Sequence, residues 1–230
     1  MDCIVGWQKT SLIDFPGTVS TVLFLFGCNL RCPYCHNPGI VLEQYETLLY
    51  NDIREHIIKR KGIVEGAVIS GGEPSIHSGL QSLCDDLRSL GLRVKIDTNG
   101  LEPEVINSCA ADYLALDIKT AIEKYPRLNV RQSYNDYRER LGMSIDIVKR
   151  MGKNAEIRIT AVPGIIDESD IDSLLIDLRG VGKIFIQPFN PSRQMIDPAY
   201  SSVKPYEQRE LEVWRRRFLD AGIDCEVRNP

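Results

Sequence analysis

The segment Gly27-Cys28-Asn29-Leu30-Arg31-Cys32-Pro33-Tyr34-Cys35-His36-Asn37 constrains this chain more than any other stretch. Cys28, Cys32 and Cys35 fall at C-x3-C-x2-C spacing, directly behind the apolar run Thr18–Phe26. Three thiolates this close can grip one face of a metal cluster. A four-iron cube normally takes four cysteines, so three leave one iron open to another ligand. With seven cysteines in 230 residues, two more at fixed offsets from a given one is about a one-in-a-thousand accident. The rival is zinc, with His36 as fourth ligand. Structural zinc sites usually join two ligand pairs across a longer loop, and these four ligands would crowd a tetrahedron.

The other cysteines, Cys3, Cys84, Cys109 and Cys225, are scattered. An odd total argues against a disulfide framework and for a reducing compartment; the scattered four read as small buried apolar residues. A net charge of −4 offers no basic footprint for nucleic acid. No apolar run reaches the length of a membrane span, and MDCIVGWQKT lacks the regions of a signal peptide. The expectation is a cytoplasmic protein without membrane or nucleic-acid partners.

The chain reads as alternating strands and helices. Trp7–Gly17 is a turn-rich lead-in. Thr18–Phe26 is a strand covered on both faces. Glu46–Lys61, with Leu48, Leu49, Ile53, Ile57 and Ile58 at helical spacing, is a helix. Strands follow at 66–70, 92–97, 113–118, 155–162 and 183–187, with a short one at 225–227. Helices lie at 79–90, 103–109, 134–151, 168–178 and 205–221. About six strand–helix units predict a partial (β/α)6 barrel of TIM type, with parallel strands and outer helices. One domain covers 1–230, with its core at about 18–222. Lys119–Ser133 and Asn190–Lys204 are the longest irregular stretches.

The polar oddities collect at the carboxyl ends of these strands, where such barrels carry their sites. After the cysteine loop come Ser70-Gly71-Gly72-Glu73-Pro74, Asp97-Thr98-Asn99-Gly100, Asp117-Ile118-Lys119 and, mid-strand, Arg158. Paired glycines let backbone approach a ligand closely, and Glu73 supplies a charge; the bland reading is a glycine turn with a solvated glutamate. Asp117 and Lys119 face the same side of a strand. His36 reads as a hydrogen-bonding neighbour of the cysteines rather than a ligand; His56 and His77 read as surface or packing residues.

With an aromatic residue, Tyr34, before its last cysteine, the motif resembles the signature of the radical S-adenosylmethionine (SAM) family. That resemblance implies one [4Fe–4S] cluster held by Cys28, Cys32 and Cys35. SAM would chelate the open iron and be cleaved by one electron to methionine and a 5′-deoxyadenosyl radical. Gly71, Gly72 and Glu73 resemble the family's GGE motif at the methionine end of SAM, with Tyr34 and His36 on the adenine side. Asp97 and Thr98 (DTNG), with Asp117 and Lys119 (D-x-K), resemble elements of the glycyl-radical-enzyme activating enzymes. In those relatives Lys119 would meet SAM's carboxylate, Asp97 and Asp117 would share a monovalent cation, and Arg158 would contact SAM.

The segments Gly6–Gly17 and Gln187–Pro191 narrow the resemblance to activators of anaerobic ribonucleoside-triphosphate reductase. A glycyl radical enzyme as protein substrate and a flavodoxin or ferredoxin electron donor are then implied. Residues 37–70 hold no cysteine, so no ferredoxin-like insertion with further clusters is expected there. Two alternatives stand beside this reading: a radical SAM enzyme acting on a small metabolite, and a non-catalytic zinc-binding interaction module.

Overall fold

Apolar residues alternate with charged, polar or small ones along the central strands, and this period of two sets the architecture. The computed structural model describes residues 3–42, 45–128, 137–191 and 194–228. β1 (Ile4–Ser11) runs antiparallel to β2 (Ser20–Leu25). Then come α1 (Pro38–Leu42), α2 (Tyr50–Lys59), β3 (Gly66–Gly71), α3 (Leu80–Ser89), β4 (Arg93–Thr98), α4 (Pro103–Ser108) and β5 (Tyr113–Ile118). The chain ends with α5 (Tyr137–Met151), β6 (Ala155–Ala161), α6 (Glu168–Asp177), β7 (Lys183–Pro188), α7 (Gln208–Asp220) and β8 (Asp224–Val227). From β2 to β8 every neighbouring pair is parallel, and the eight strands lie in sequence order. Among the described residues β8 does not pair with β1, so the sheet is open. This is the expected partial barrel of TIM type.

The outer face of the sheet packs on the helices through Leu23, Ile69, Ile96, Leu116, Ile159 and Ile186, all buried in one large cluster. The concave face holds, among the described residues, a small buried apolar cluster of Phe15, Val22, Val68 and Tyr113, with Phe24 packed against it. Beyond it the central strands present mainly charged side chains, and β7 presents Phe185. Register sets Val68 beside Lys95, Lys95 beside Tyr113, Ala115 beside Glu156, and Asp117 beside Arg158. These charged residues occupy alternate positions, so they point away from the helices.

The expected turn-rich lead-in at Trp7–Gly17 is corrected. Its first part is strand β1, held to β2 by backbone pairing and by Trp7 Nε1 donating to Thr21 Oγ1 at 2.7 Å. Only the part after Ser11 turns, where the Ser11 hydroxyl donates to Asp14 Oδ2 at 2.5 Å. β1 is an edge strand, half-buried along most of its length, so its sequence carries no clean alternation. Phe15, in that turn, is fully buried beneath the barrel. Gly66 makes room for it, since a Cβ there would lie 2.9 Å from the ring.

The helix expected from Glu46 starts at Tyr50. Leu48 is instead tied to the sheet, its N–H donating to Ile4 O at 2.7 Å. Leu49 and Ile58 are exposed, and α2 buries Ile53 and Ile57. The helix expected from Tyr134 is described from Tyr137, residues 134–136 lying outside the described residues. The irregular stretches contain 3-10 turns at Ile122–Leu128 and Pro198–Ser202; residues 129–133 and 192–193 lie outside the description. Among the described residues no helix is long and apolar enough to cross a membrane.

Candidate functional site

The cysteine loop begins where β2 ends. Gly27 adopts a φ of +76°, a left-handed conformation that favours glycine. Arg31 then folds the loop on itself, its Nη1 donating to Cys28 O at 2.6 Å and Leu30 O at 2.8 Å. Cys35 N donates to Cys32 O at 3.0 Å, closing the last turn. Asp197 N donates to Pro33 O at 2.9 Å, tying the loop to the segment after β7. Burial pushes the Cys28 thiol up to about 12 and Cys32 up to about 11, and raises Cys35. Unligated, these cysteines keep their protons, and any metal group they took up would have to expel them.

All three cysteines line one cavity of about 270 Å³ at the carboxyl ends of the strands. Among the described residues no three His, Cys, Asp or Glu side chains are arranged to hold a single metal ion. His36 stacks on Phe189 at 6.2 Å, with Nε2 3.0 Å from Asn190 O. The three cysteines share the cavity lining, the Leu30 N–H donating to Cys28 Sγ at 3.4 Å, and together they could hold an iron–sulfur cluster. Tyr34 also lines the cavity, but it is buried, and its ring lies 6.4 Å from Phe189 and 6.4 Å from Tyr200.

The glycine pair at the end of β3 rests on this loop. Gly72 N donates to Leu25 O and Glu73 N to Gly27 O, each at 2.8 Å. A Cβ on Gly72 would lie 1.8 Å from Gly27 O, and one on Gly71, at a φ of +111°, 2.6 Å from Leu25 N. The close approach expected toward a ligand is, in the structure, an approach to the protein's own backbone.

Glu73 is not solvated either. It is 1% exposed. Oε1 accepts from Ser75 N at 3.0 Å, Ser75 Oγ at 2.5 Å and Thr98 Oγ1 at 2.6 Å, and Oε2 accepts from Asn99 N at 2.6 Å. Burial raises its pKa, and the four donors only partly reverse that. Glu73 and Thr98 thus clamp the end of β3 to the end of β4. Sequence reasoning missed two partners in this clamp. Asn99 Nδ2 donates to Asn29 Oδ1 at 2.7 Å and lies 3.9 Å from Cys28 Sγ. The available signal was an asparagine beside the first cysteine and another inside the DTNG turn.

The remaining candidates form one charge network. Arg158 Nε donates to Asp117 Oδ1 at 2.6 Å, and Nη1 to Asp97 Oδ2 at 3.1 Å. Lys119 Nζ donates to Asp117 Oδ2 at 3.0 Å, and Lys95 Nζ lies 2.8 Å from Asp97 Oδ1. Burial pushes both carboxyls up, but the Arg158 guanidinium, with Lys119 at Asp117 and Lys95 at Asp97, more than reverses it and holds them low. Burial lowers the Lys119 pKa, and Asp117 more than restores it. Lys119, 20% exposed in its side chain, keeps its charge at the cavity wall. His56 packs edge-on against Trp7 and His77 lies 2.8 Å from Phe26 O, both in packing roles as expected. Cys84, Cys109 and Cys225 are buried in the core.

The family model described as the radical SAM superfamily matches residues 22–175. A Methanocaldococcus jannaschii protein, provisionally named a glycyl-radical enzyme activating enzyme, is 32% identical over 94% of this chain and 93% of its own length. A 7-carboxy-7-deazaguanine synthase of Rhodopirellula baltica is 29% identical over 84% of this chain and 74% of its own. A pyruvate formate-lyase-activating enzyme of Staphylococcus epidermidis is 27% identical over 96% of this chain and 86% of its own. Among solved structures, QueE from Escherichia coli superposes with a TM-score of 0.58 over 100% of this chain and 94% of that one, at 17% identity.

Proposed function

The chain belongs to the radical SAM superfamily, and we propose that it is an activating enzyme that makes a glycyl radical on a partner enzyme, with anaerobic ribonucleoside-triphosphate reductase as first candidate partner. The family is one of enzymes built around a [4Fe–4S] cluster and SAM. The observation that carries the finer reading is the likeness, over nearly the whole of both chains, to the Methanocaldococcus jannaschii protein.

When bound, the cluster would supply the electron that cleaves SAM reductively. Cys28, Cys32 and Cys35 would hold it, giving up their protons as they do so. Lys119 would receive the ligand's carboxylate, since its cation faces the cavity and Asp117 keeps it charged. Gly71 and Gly72 would present backbone to the methionine end, while Glu73 and Thr98 hold that backbone still. Tyr34 and His36 would bound the adenine side. The open mouth would admit a loop of a partner protein, whose docking would exclude water from the radical. A flavodoxin or ferredoxin would deliver the electron, and the cytoplasm is the proposed setting.

The test is to express the chain anaerobically with candidate glycyl radical enzymes, the reductase first, and to record electron paramagnetic resonance after reduction with SAM present. A glycyl doublet on a partner is expected. A chain that cleaves SAM but raises no doublet on any candidate, and turns over a small molecule instead, would overturn the activase reading. That second outcome has its own support in the Rhodopirellula baltica relative, which is named for a small-molecule product.

A further inference from the structure

The alkali cation expected between Asp97 and Asp117 does not fit the residues present. Those two carboxylates offer four oxygens, and each already faces a cation of the chain. Asp117 Oδ1 takes Arg158 Nε at 2.6 Å, and Oδ2 takes Lys119 Nζ at 3.0 Å. Asp97 Oδ2 takes Arg158 Nη1 at 3.1 Å and also the Ser70 hydroxyl at 3.2 Å. Asp97 Oδ1 lies 2.8 Å from Lys95 Nζ, close enough to pair though not aligned as a hydrogen bond. Two negative charges are thus met by three positive ones. A further cation would enter against a net positive charge, in a place where the Asp97 and Arg158 side chains are each only 12% exposed. An alkali ion also needs several oxygens converging on one point, and here the guanidinium lies between the two carboxylates.

We propose that Arg158 is a built-in counter-ion: its guanidinium stands where an alkali cation would stand, bridges the ends of β4 and β5, and makes the mouth independent of sodium and potassium. A planar fork with fixed donors suits this role better than a mobile ion. It holds two carboxylates at set directions, and through Asp117 it sets the place of Lys119. Arg158 is then a positioning residue for whatever anionic group Lys119 receives. The counter-ion role follows from the charge network alone; only the SAM measurement below rests on the proposed function.

Two measurements decide it, each in potassium, sodium and tetramethylammonium chloride at equal ionic strength. The first is thermal unfolding of the reconstituted holoenzyme. The wild type should melt alike in all three salts. Arg158→Ala opens a gap between two carboxylates and should gain a selective rise of about 4 °C in potassium or sodium, at a concentration about ten times the dissociation constant of the new site. Arg158→Lys, which keeps a cation, should remain indifferent.

The second is SAM affinity by equilibrium dialysis. The wild type should vary less than about twofold among the salts. Arg158→Ala should bind about tenfold more weakly in tetramethylammonium and recover in an alkali salt. A wild type whose melting or SAM affinity depends on potassium or sodium overturns the proposal, as does an Arg158→Ala chain as indifferent to them as the wild type. Should Arg158→Ala fail to fold, Arg158→Gln takes its place, and the wild-type comparison is decisive without either. If SAM binds in none of the salts, the cofactor reading fails, while the melting comparison still judges the counter-ion.

Discussion

The two ends of the barrel bury charge in opposite ways. At the carboxyl rim, Asp97, Asp117 and Lys119 border a cavity, beside a loop built on Gly71 and Gly72, and Arg158 pairs with both aspartates. At the floor, Glu156 is 1% exposed and is held by the Tyr113 hydroxyl at 2.9 Å and Arg228 Nη2 at 2.9 Å. Arg228 in turn lies over the Phe185 ring at 4.0 Å, and Arg93 over Phe15 at 4.8 Å. Aromatic rings fill the floor, whereas at the rim a glycine turn packs on the backbone of the cysteine loop beside the cavity. The same strand alternation therefore yields a plug at one end and a receptacle at the other. Barrels of this kind carry chemistry at the carboxyl face and stability at the amino face, so substitutions at the two ends should fail differently.

The largest effect is expected from Gly72→Ala. Its Cβ would meet Gly27 O at 1.8 Å, so the glycine turn and the cysteine loop cannot keep their spacing. Reductive cleavage of SAM, followed as 5′-deoxyadenosine by chromatography, should fall about a hundredfold, the usual consequence of an ångström-scale misplacement. Cleavage close to wild type would remove the claim that the glycine pair seats the cluster loop.

Glu156→Ala should break the floor while sparing the rim. It leaves Arg228 and the Tyr113 hydroxyl without their shared partner. The expected loss is about 3 kcal/mol in denaturant unfolding, the low end for a broken buried pair because Arg228 keeps contact with water. SAM affinity of the folded fraction should be unchanged. A variant that instead loses SAM affinity at full stability would erase the distinction between the two ends.

Thr98→Val is the smallest and tests the rim's internal clamp. It removes the hydroxyl that donates to Glu73 and accepts from Gly100 N at 3.1 Å. Two buried hydrogen bonds are lost, one of them from a carboxylate that keeps three others, which should cost about 2 kcal/mol. If Thr98 serves only as a clamp, SAM affinity should fall less than for Gly72→Ala; a larger fall would make its hydroxyl a direct contact.

Much of this was legible in the chain. The parallel order follows from the alternation of apolar strands with amphipathic helices, and Tyr113–Ile118 is a strand at the bounds its sequence predicts. The segments that misled were those whose pattern is local but whose structure is not. Ile4–Ser11 lacks alternation because it is an edge strand, paired among the described residues with β2 alone. Leu48 and Leu49 share the helical spacing of α2, yet Leu48 is held by Ile4 across the sheet. The 3-10 turn at Ile122–Leu128 contains Pro126 and buries Tyr125, whose hydroxyl accepts from Lys119 N at 3.0 Å; no periodicity announces it.

For the site, sequence alone determined the chemistry available: three thiols at cluster spacing, a glycine-glycine-glutamate turn, two aspartates, a lysine and an arginine, each at or near a strand end. It could do so because residue type and spacing in the chain set what a local segment can ligate. Only the tertiary structure decided which of these groups are spoken for by the protein itself. Glu73 and Thr98 are bound to each other across neighbouring strands, the glycines press on the cysteine loop, and Arg158 fills the space between Asp97 and Asp117. The reason is physical. Hydrogen bonds and ion pairs between residues tens of positions apart depend on strand register and side-chain direction, which exist only once the sheet has formed.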